Sequence, residues 1–249
     1  MSFGRLFLAN GNYSPQAVAL FARMTNTPSI GRKRLMDTLI KSLIANGIWS
    51  TLDGLWVPAA ADSQAATLNW VANNALTPTA MTFTADRGFA GNGTSSTISA
   101  GISTSLATHN SNAAGVWMNV DVSTIVGCQL AGGVSSIEVF VKRSGPTFQG
   151  YSEGNSATVS ITNGLGYSAL TRTDAATISL QKNASASSGA AASAGFPGGP
   201  IYLMAIDGSG SASSTGRMAA AHVGSGLTPT QLSNLYAALL SYLTSIGAN

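Results

Sequence analysis

Few side chains in this sequence can do acid, base, nucleophilic or metal chemistry, and their spacing decides how much of it is open. The carboxylates number nine: Asp37, Asp53, Asp62, Asp86, Asp121, Glu138, Glu153, Asp174 and Asp207. Glycoside hydrolysis needs two carboxyl groups facing each other across a sugar. No two of these lie at i, i+2 or i, i+4, the separations that put both on one face of one element. The two histidines, His109 and His222, offer no His-x-x-x-His pair to a metal. Neither serves a serine in a strand-turn-helix elbow, because "VGSGL" lacks the G-x-S-x-G spacing. Cys128 is the single cysteine, which excludes an intrachain disulfide and starves a thiolate zinc site of ligands, so it reads as a small buried hydrophobe. The chain is therefore expected not to be an enzyme and to hold neither metal nor cofactor.

Binding chemistry is better represented. In "AGVWMNVDVS" the apolar Val116, Met118, Val120 and Val122 alternate with Trp117, Asn119, Asp121 and Ser123. The period of two places the second set together on one face of a strand. Trp117 with Asn119 and Asp121 has the composition of a sugar platform: an indole to stack on the ring, an amide and a carboxylate for its hydroxyls. The competing reading is that Trp117 packs beneath a terminal helix.

The segment "TADRGFAGNGTSSTISAGI", residues 84–102, is rich in glycine and hydroxyls. A phosphate loop of the Walker type would end in Lys, and a dinucleotide fingerprint would run straight into a helix. This segment does neither. Its glycines read as positive-φ positions in a turn between strands.

The elements that must position these residues fall into three groups. Ser14-Pro15 opens one helix and Ser29 a second, whose Leu35, Met36, Leu39, Ile40, Leu43 and Ile44 form an apolar stripe. That stripe could pack within the chain or against another copy. Trp49, Trp56 and Trp70 follow, read as anchors of the helical segment rather than as ligand-stacking groups. From residue 80, "MTFTA", "STISA", "AGVWMNVDV", "SSIEVFVKR", "ATVSIT", "ATISLQK" and "IYLMAID" read as strands without helical crossovers, hence antiparallel. The small-residue stretches 183–200 and 208–216 read as surface loops. A capping box at Thr228 and Gln231, with Pro229 between them, opens an amphipathic C-terminal helix. The expected organisation is a helical segment over residues 1–75, packed on or linking to a mainly β, antiparallel sandwich over residues 76–249 that the last helix closes.

Composition narrows the partners. Only 8% of residues are charged, against about 25% in ordinary domains, and the net charge is +3. The one basic cluster, Arg32-Lys33-Arg34, reads as a solvated helix face, so a nucleic-acid partner is not expected. No run approaches the roughly 20 apolar residues of a membrane span, and the apolar stretch after Arg5 is too short for a signal peptide. Low charge leaves little repulsion between copies, so a homo-oligomer is expected.

Three blocks, "GIWSTLDGLWVPAAADSQAATLNW", "FTADRGFAGNGTSSTISAGI" and "AAAHVGSGLTPTQLSNLYAALLSYL", resemble a family of tailed-bacteriophage virion proteins with a concanavalin A-like, laminin G-like jelly-roll domain. The similarity runs from about residue 35 to the end, in the same block order. It implies a location in the virion after synthesis in the host cytoplasm, other virion proteins as partners, a trimer, and a lectin-like face for host-surface glycans. A purely structural capsid or tail component is the alternative, and a polysaccharide depolymerase a remote one. Relatives often carry an aromatic and an acidic residue in the strand after the glycine-rich turn, where this chain has Thr97 and Ser99.

Overall fold

The computed structural model describes residues 12–103, 108–121, 137–143, 145–195 and 199–249, and the backbone of 128–130. The helices are α1 (Pro15–Phe21), α2 (Ile30–Ala45), α3 (Ser63–Thr67) and α4 (Pro229–Ser245). Their starts follow from their caps. Ser14, Ser29 and Asp62 each accept a backbone N–H of the first turn, and Thr228 and Gln231 form a reciprocal capping box.

Two antiparallel sheets form the body. The first runs β13 (Ser185–Ala190), β12 (Thr177–Lys182), β11 (Gly166–Arg172), β6 (Asn112–Val120), β15 (Arg217–Gly224), β4 (Gly88–Ala90), β3 (Thr82–Thr84), with β1 (Leu52–Trp56) also paired to β15. The second runs β10 (Asn155–Ser160), β9 (Thr147–Ser152), β8 (Ile137–Phe140), β7 (Cys128–Leu130), β14 (Pro200–Leu203), β5 (Thr97–Ser103), β2 (Thr77–Thr79). The protein is thus mainly β, an antiparallel sandwich with helices at both ends of the chain.

The central strands of the first sheet, β11, β6 and β15, are buried on both faces. Ala114, Val116 and Met118 of β6 point into the sandwich with Ile98, Phe148 and Leu203, while Ala113 and Trp117 lie in a second core under the helices with Leu39, Leu43, Leu235 and Leu239. The second core contains residues of the first sheet and, among the described residues, none of the second. The helices therefore cover one side of the sandwich.

Two expectations change. Within residues 1–75, Leu52–Trp56 is not helical but a strand hydrogen-bonded to β15 and completely buried. The stretch 183–200 is not wholly loop: Ser185–Ala190 is an edge strand on β12, where exposed Ser and Ala need no packing partner. The stripe on α2 is spent inside the chain, with Met36, Leu39, Ile40 and Leu43 at most 3% exposed. The glycine-rich segment is strand, turn and strand: Gly93 has φ +73°, and Asn92 Oδ1 accepts the N–H groups of Thr94, Ser95 and Ser96. Cys128 has only its backbone within the described residues, and Val122 and Ser123 lie outside them.

Candidate functional site

The strand expected to present Trp117, Asn119 and Asp121 is β6 together with the residue after it. Trp117 is 3% exposed, and its indole stacks on Tyr236 of α4. It packs beneath the helix and offers no open platform. Asn119 is occupied by structure: its Nδ2 donates to the carbonyls of Arg87 and Ala248, and its Oδ1 accepts from Arg217 Nε. Asp121 is exposed, accepts Gly164 N–H at 2.6 Å, and lies 3.8 Å from Lys142 Nζ. Trp117 and Asn119 face the helical side, through Tyr236 and the Ala248 carbonyl, and α4 closes that side over Trp117, while Asp121, beyond the end of β6, meets Gly164 and Lys142 instead.

The helices leave the outer face of the second sheet. Alternation assigns its side chains, since Phe148, Ile137, Val139, Ile201, Leu203 and Ile98 all point into the sandwich. Their neighbours Tyr151, Glu138, Tyr202 and Ser99 point out, each partly exposed. Register brings these four into one row. Tyr151 of β9 is opposite Ser156 of β10 and Glu138 of β8; residue 129 of β7 comes next, then Tyr202 of β14, Ser99 of β5 and Thr77 of β2. With strands about 4.8 Å apart, Tyr151 and Tyr202 are separated by three steps, about 14 Å.

A second row runs beside the first. Phe140 is paired with Gln149, and the Arg143 guanidinium lies over the Phe140 ring at 4.2 Å. Gln149 Nε2 donates to Ser156 Oγ at 2.8 Å. Phe140 is buried beneath Arg143, and the Tyr202 ring lies against Gly208, so the face combines two partly exposed tyrosines with one carboxylate, one guanidinium, an amide and hydroxyls. Such a surface can stack on the apolar side of a sugar ring and exchange hydrogen bonds with its hydroxyls.

The remaining titratable groups serve structure. His222 and Tyr167 are fully buried and hydrogen-bonded at 2.7 Å; burial holds the imidazole down at about 3 and pushes the phenol well above its usual range. Both are neutral at pH 7. Glu153 is fully buried at the β9–β10 turn, where it accepts Asn110 N–H and Asn112 Nδ2, with His109 Nδ1 at 3.0 Å from its other oxygen. Buried Arg172 binds Ser152 and the Asp174 carbonyl beside it. This cluster ties three hairpin ends together. Among the described residues no group of three or more His, Cys, Asp or Glu could hold a metal ion, and no helix is long and apolar enough to cross a membrane.

One solved structure shares the fold, and others align more loosely. A sialidase from Trypanosoma rangeli, solved in complex with sialic acid, aligns over 86% of this chain and 40% of its own, with a TM-score of 0.54 at 10% identity. Domain 4 of AbnA, a GH43 extracellular arabinanase from Geobacillus stearothermophilus, in complex with arabinotriose, aligns over 75% of this chain and 98% of its own, with a TM-score of 0.48 at 15% identity. The enzymatically active domain of tailspike protein 2 from bacteriophage CBA120 aligns over 64% of this chain and 29% of its own, with a TM-score of 0.42 at 12% identity. This chain thus spans less than half of the sialidase. No protein family and no functionally described protein matches the sequence.

These findings correct the expectation that the chain is not an enzyme. Its fold occurs within a glycosidase, and carboxylates carried on different elements can still face each other. A sheet also juxtaposes residues from strands far apart in sequence, as it does Tyr202 and Ser99. The sandwich therefore gives no ground for excluding activity.

Proposed function

We propose that this chain is a virion protein of a tailed bacteriophage that binds host-surface glycan on the open face of its second sheet. The observation that carries the reading is the row Tyr151, Glu138, Tyr202 and Ser99, presented outward on the side the helices leave uncovered. A glycan lying across the strands meets an aromatic ring at either end of its contact and polar groups between. The two tyrosines are too far apart to share one sugar ring, so the ligand is an oligosaccharide held along its length.

The phage assignment rests on the three resembling blocks, and low charge supports assembly with copies of itself, a trimer by that resemblance, and with other virion proteins. The sialidase with a similar fold acts in the same chemical domain, having been solved with a sugar bound. A glycan array on the purified chain tests the reading, with released reducing ends assayed in parallel. Submillimolar binding to oligosaccharides, stronger than to their monosaccharides, is expected. A silent array would leave the sandwich as a packing module and overturn the proposal.

A further inference from the structure

A cavity of about 220 Å³ lies on the helical side of the molecule, away from the sheet face, between the α1–α2 connection, the start of α2, the chain between β1 and α3, and Tyr242 of α4. One water needs about 10–15 Å³ by this measure, so the space admits a small organic group.

Arg32 and Tyr242 supply donors on one side and Asp62 an acceptor on the other, with the polar side chains of Asn26, Thr27 and Ser29 also in the lining. Arg32 donates to Tyr242 Oη at 3.4 Å and pairs with Asp86. A hydroxyl that accepts from a guanidinium keeps its own hydrogen to give, and among the described residues nothing takes it. Asp62 caps α3 through Ala65 N–H at 2.9 Å and receives Asn26 Nδ2 at 3.3 Å, which leaves part of its acceptor capacity unused. Val57, Ala65 and Trp70 supply buried apolar wall. The only basic group of the lining is already neutralised by Asp86, and Asp62 adds a carboxylate, so an anion gains nothing here.

The neutral group that matches these features is a small secondary amide: a carbonyl to accept from Tyr242 and Arg32, an N–H to donate to Asp62, and a methyl against Ala65 and Val57. We propose that the cavity binds the acetamido group of an N-acetylated sugar. The choice of a sugar as carrier of that amide rests on the glycan reading above.

The test is a titration of the full chain, followed by NMR, with N-acetylglucosamine and N-acetylgalactosamine, and with glucose and glucosamine as controls. The N-acetylated sugars should shift the Trp70 indole and the Ala65 methyl, while the controls leave them unmoved. Ala65→Leu fills the cavity and should weaken binding at least tenfold. Ala61→Phe at the exposed rim should do the same without touching the core. Equal shifts from unacetylated sugars, or unchanged affinity in a folded variant of either kind, would overturn the proposal. Cavity binding by N-acetylated sugars beside a silent sheet face would uphold it and sink only the sheet reading.

Discussion

The indole of Trp117 and the phenol ring of Tyr236 lie parallel, at 5.8 Å between centroids and 10° between planes, and so bind α4 to the first sheet. Together with Leu232, Leu235, Leu239 and Leu243, each at most 1% exposed, this contact makes the last helix part of the core. Trp117→Ala should cost about 3–5 kcal/mol, read from denaturant midpoints, and leave ligand affinity unchanged in the protein that remains folded. Lost affinity at unchanged stability would restore Trp117 as a contact.

Stability should fall in mild acid through His222. Its folded-state value near 3 lies below the ordinary 6.5, because the buried ring is disfavoured as a cation. The unfolded chain therefore takes up the extra proton, and stability is full above about pH 6.5 and declines towards pH 3, by up to about 1.4 kcal/mol per unit. His222→Gln removes the titrating ring, and its stability should be flatter between pH 6.5 and 4 than the parent's. Parallel profiles would show that the imidazole is not the group responsible.

Glu153 should matter more than its exposed hairpin suggests. Glu153→Ala removes the acceptor for Asn110 and Asn112 and leaves Asp174 as the remaining carboxylate acting on Arg172. A loss of roughly 1–3 kcal/mol follows from buried donors left without an acceptor. Glu153→Gln keeps one acceptor oxygen and should be the milder of the two by thermal melt. The reverse order would show that the cluster is not organised by the carboxylate.

Close backbone approach makes the glycine-rich segment intolerant. A Cβ on Gly91 would overlap the carbonyl oxygen of Ser214, and one on Gly88 that of Met218. Gly91→Ala should destabilise by more than 1 kcal/mol, roughly, while Thr94→Ala on the exposed turn stays within about 0.5. Comparable melting temperatures would mean that the two backbones can separate freely.

The sequence announced its elements where local chemistry decides them. Ser14-Pro15 and the Thr228-Gln231 box mark helix starts through side chains that must satisfy orphan amides, and both are seen. The β-branched strands were equally plain. Leu52–Trp56 was hidden because it is buried on both sides and shows no alternation. Arg217–Gly224, beside β6 in the first sheet, was hidden for the same reason. Arg32, read as part of a solvated basic face, turns inward to Asp86 and Tyr242, partners 54 and 210 residues away. The candidate site was the least legible part. Tyr151, Glu138, Tyr202 and Ser99 come from four strands whose order in the sheet is not their order in the chain, and only register aligns them.

The most direct measurement of the central claim is oligosaccharide affinity, by calorimetry, of the parent beside Tyr151→Ala, Tyr202→Ala and the double variant, with melting curves for each. Both tyrosines stand on the outer face and only partly buried, so the variants should melt close to the parent. Each single change should weaken binding about tenfold, roughly 1.4 kcal/mol, and the double change should abolish it. Full affinity in a folded double variant would contradict the account and move the glycan to another surface.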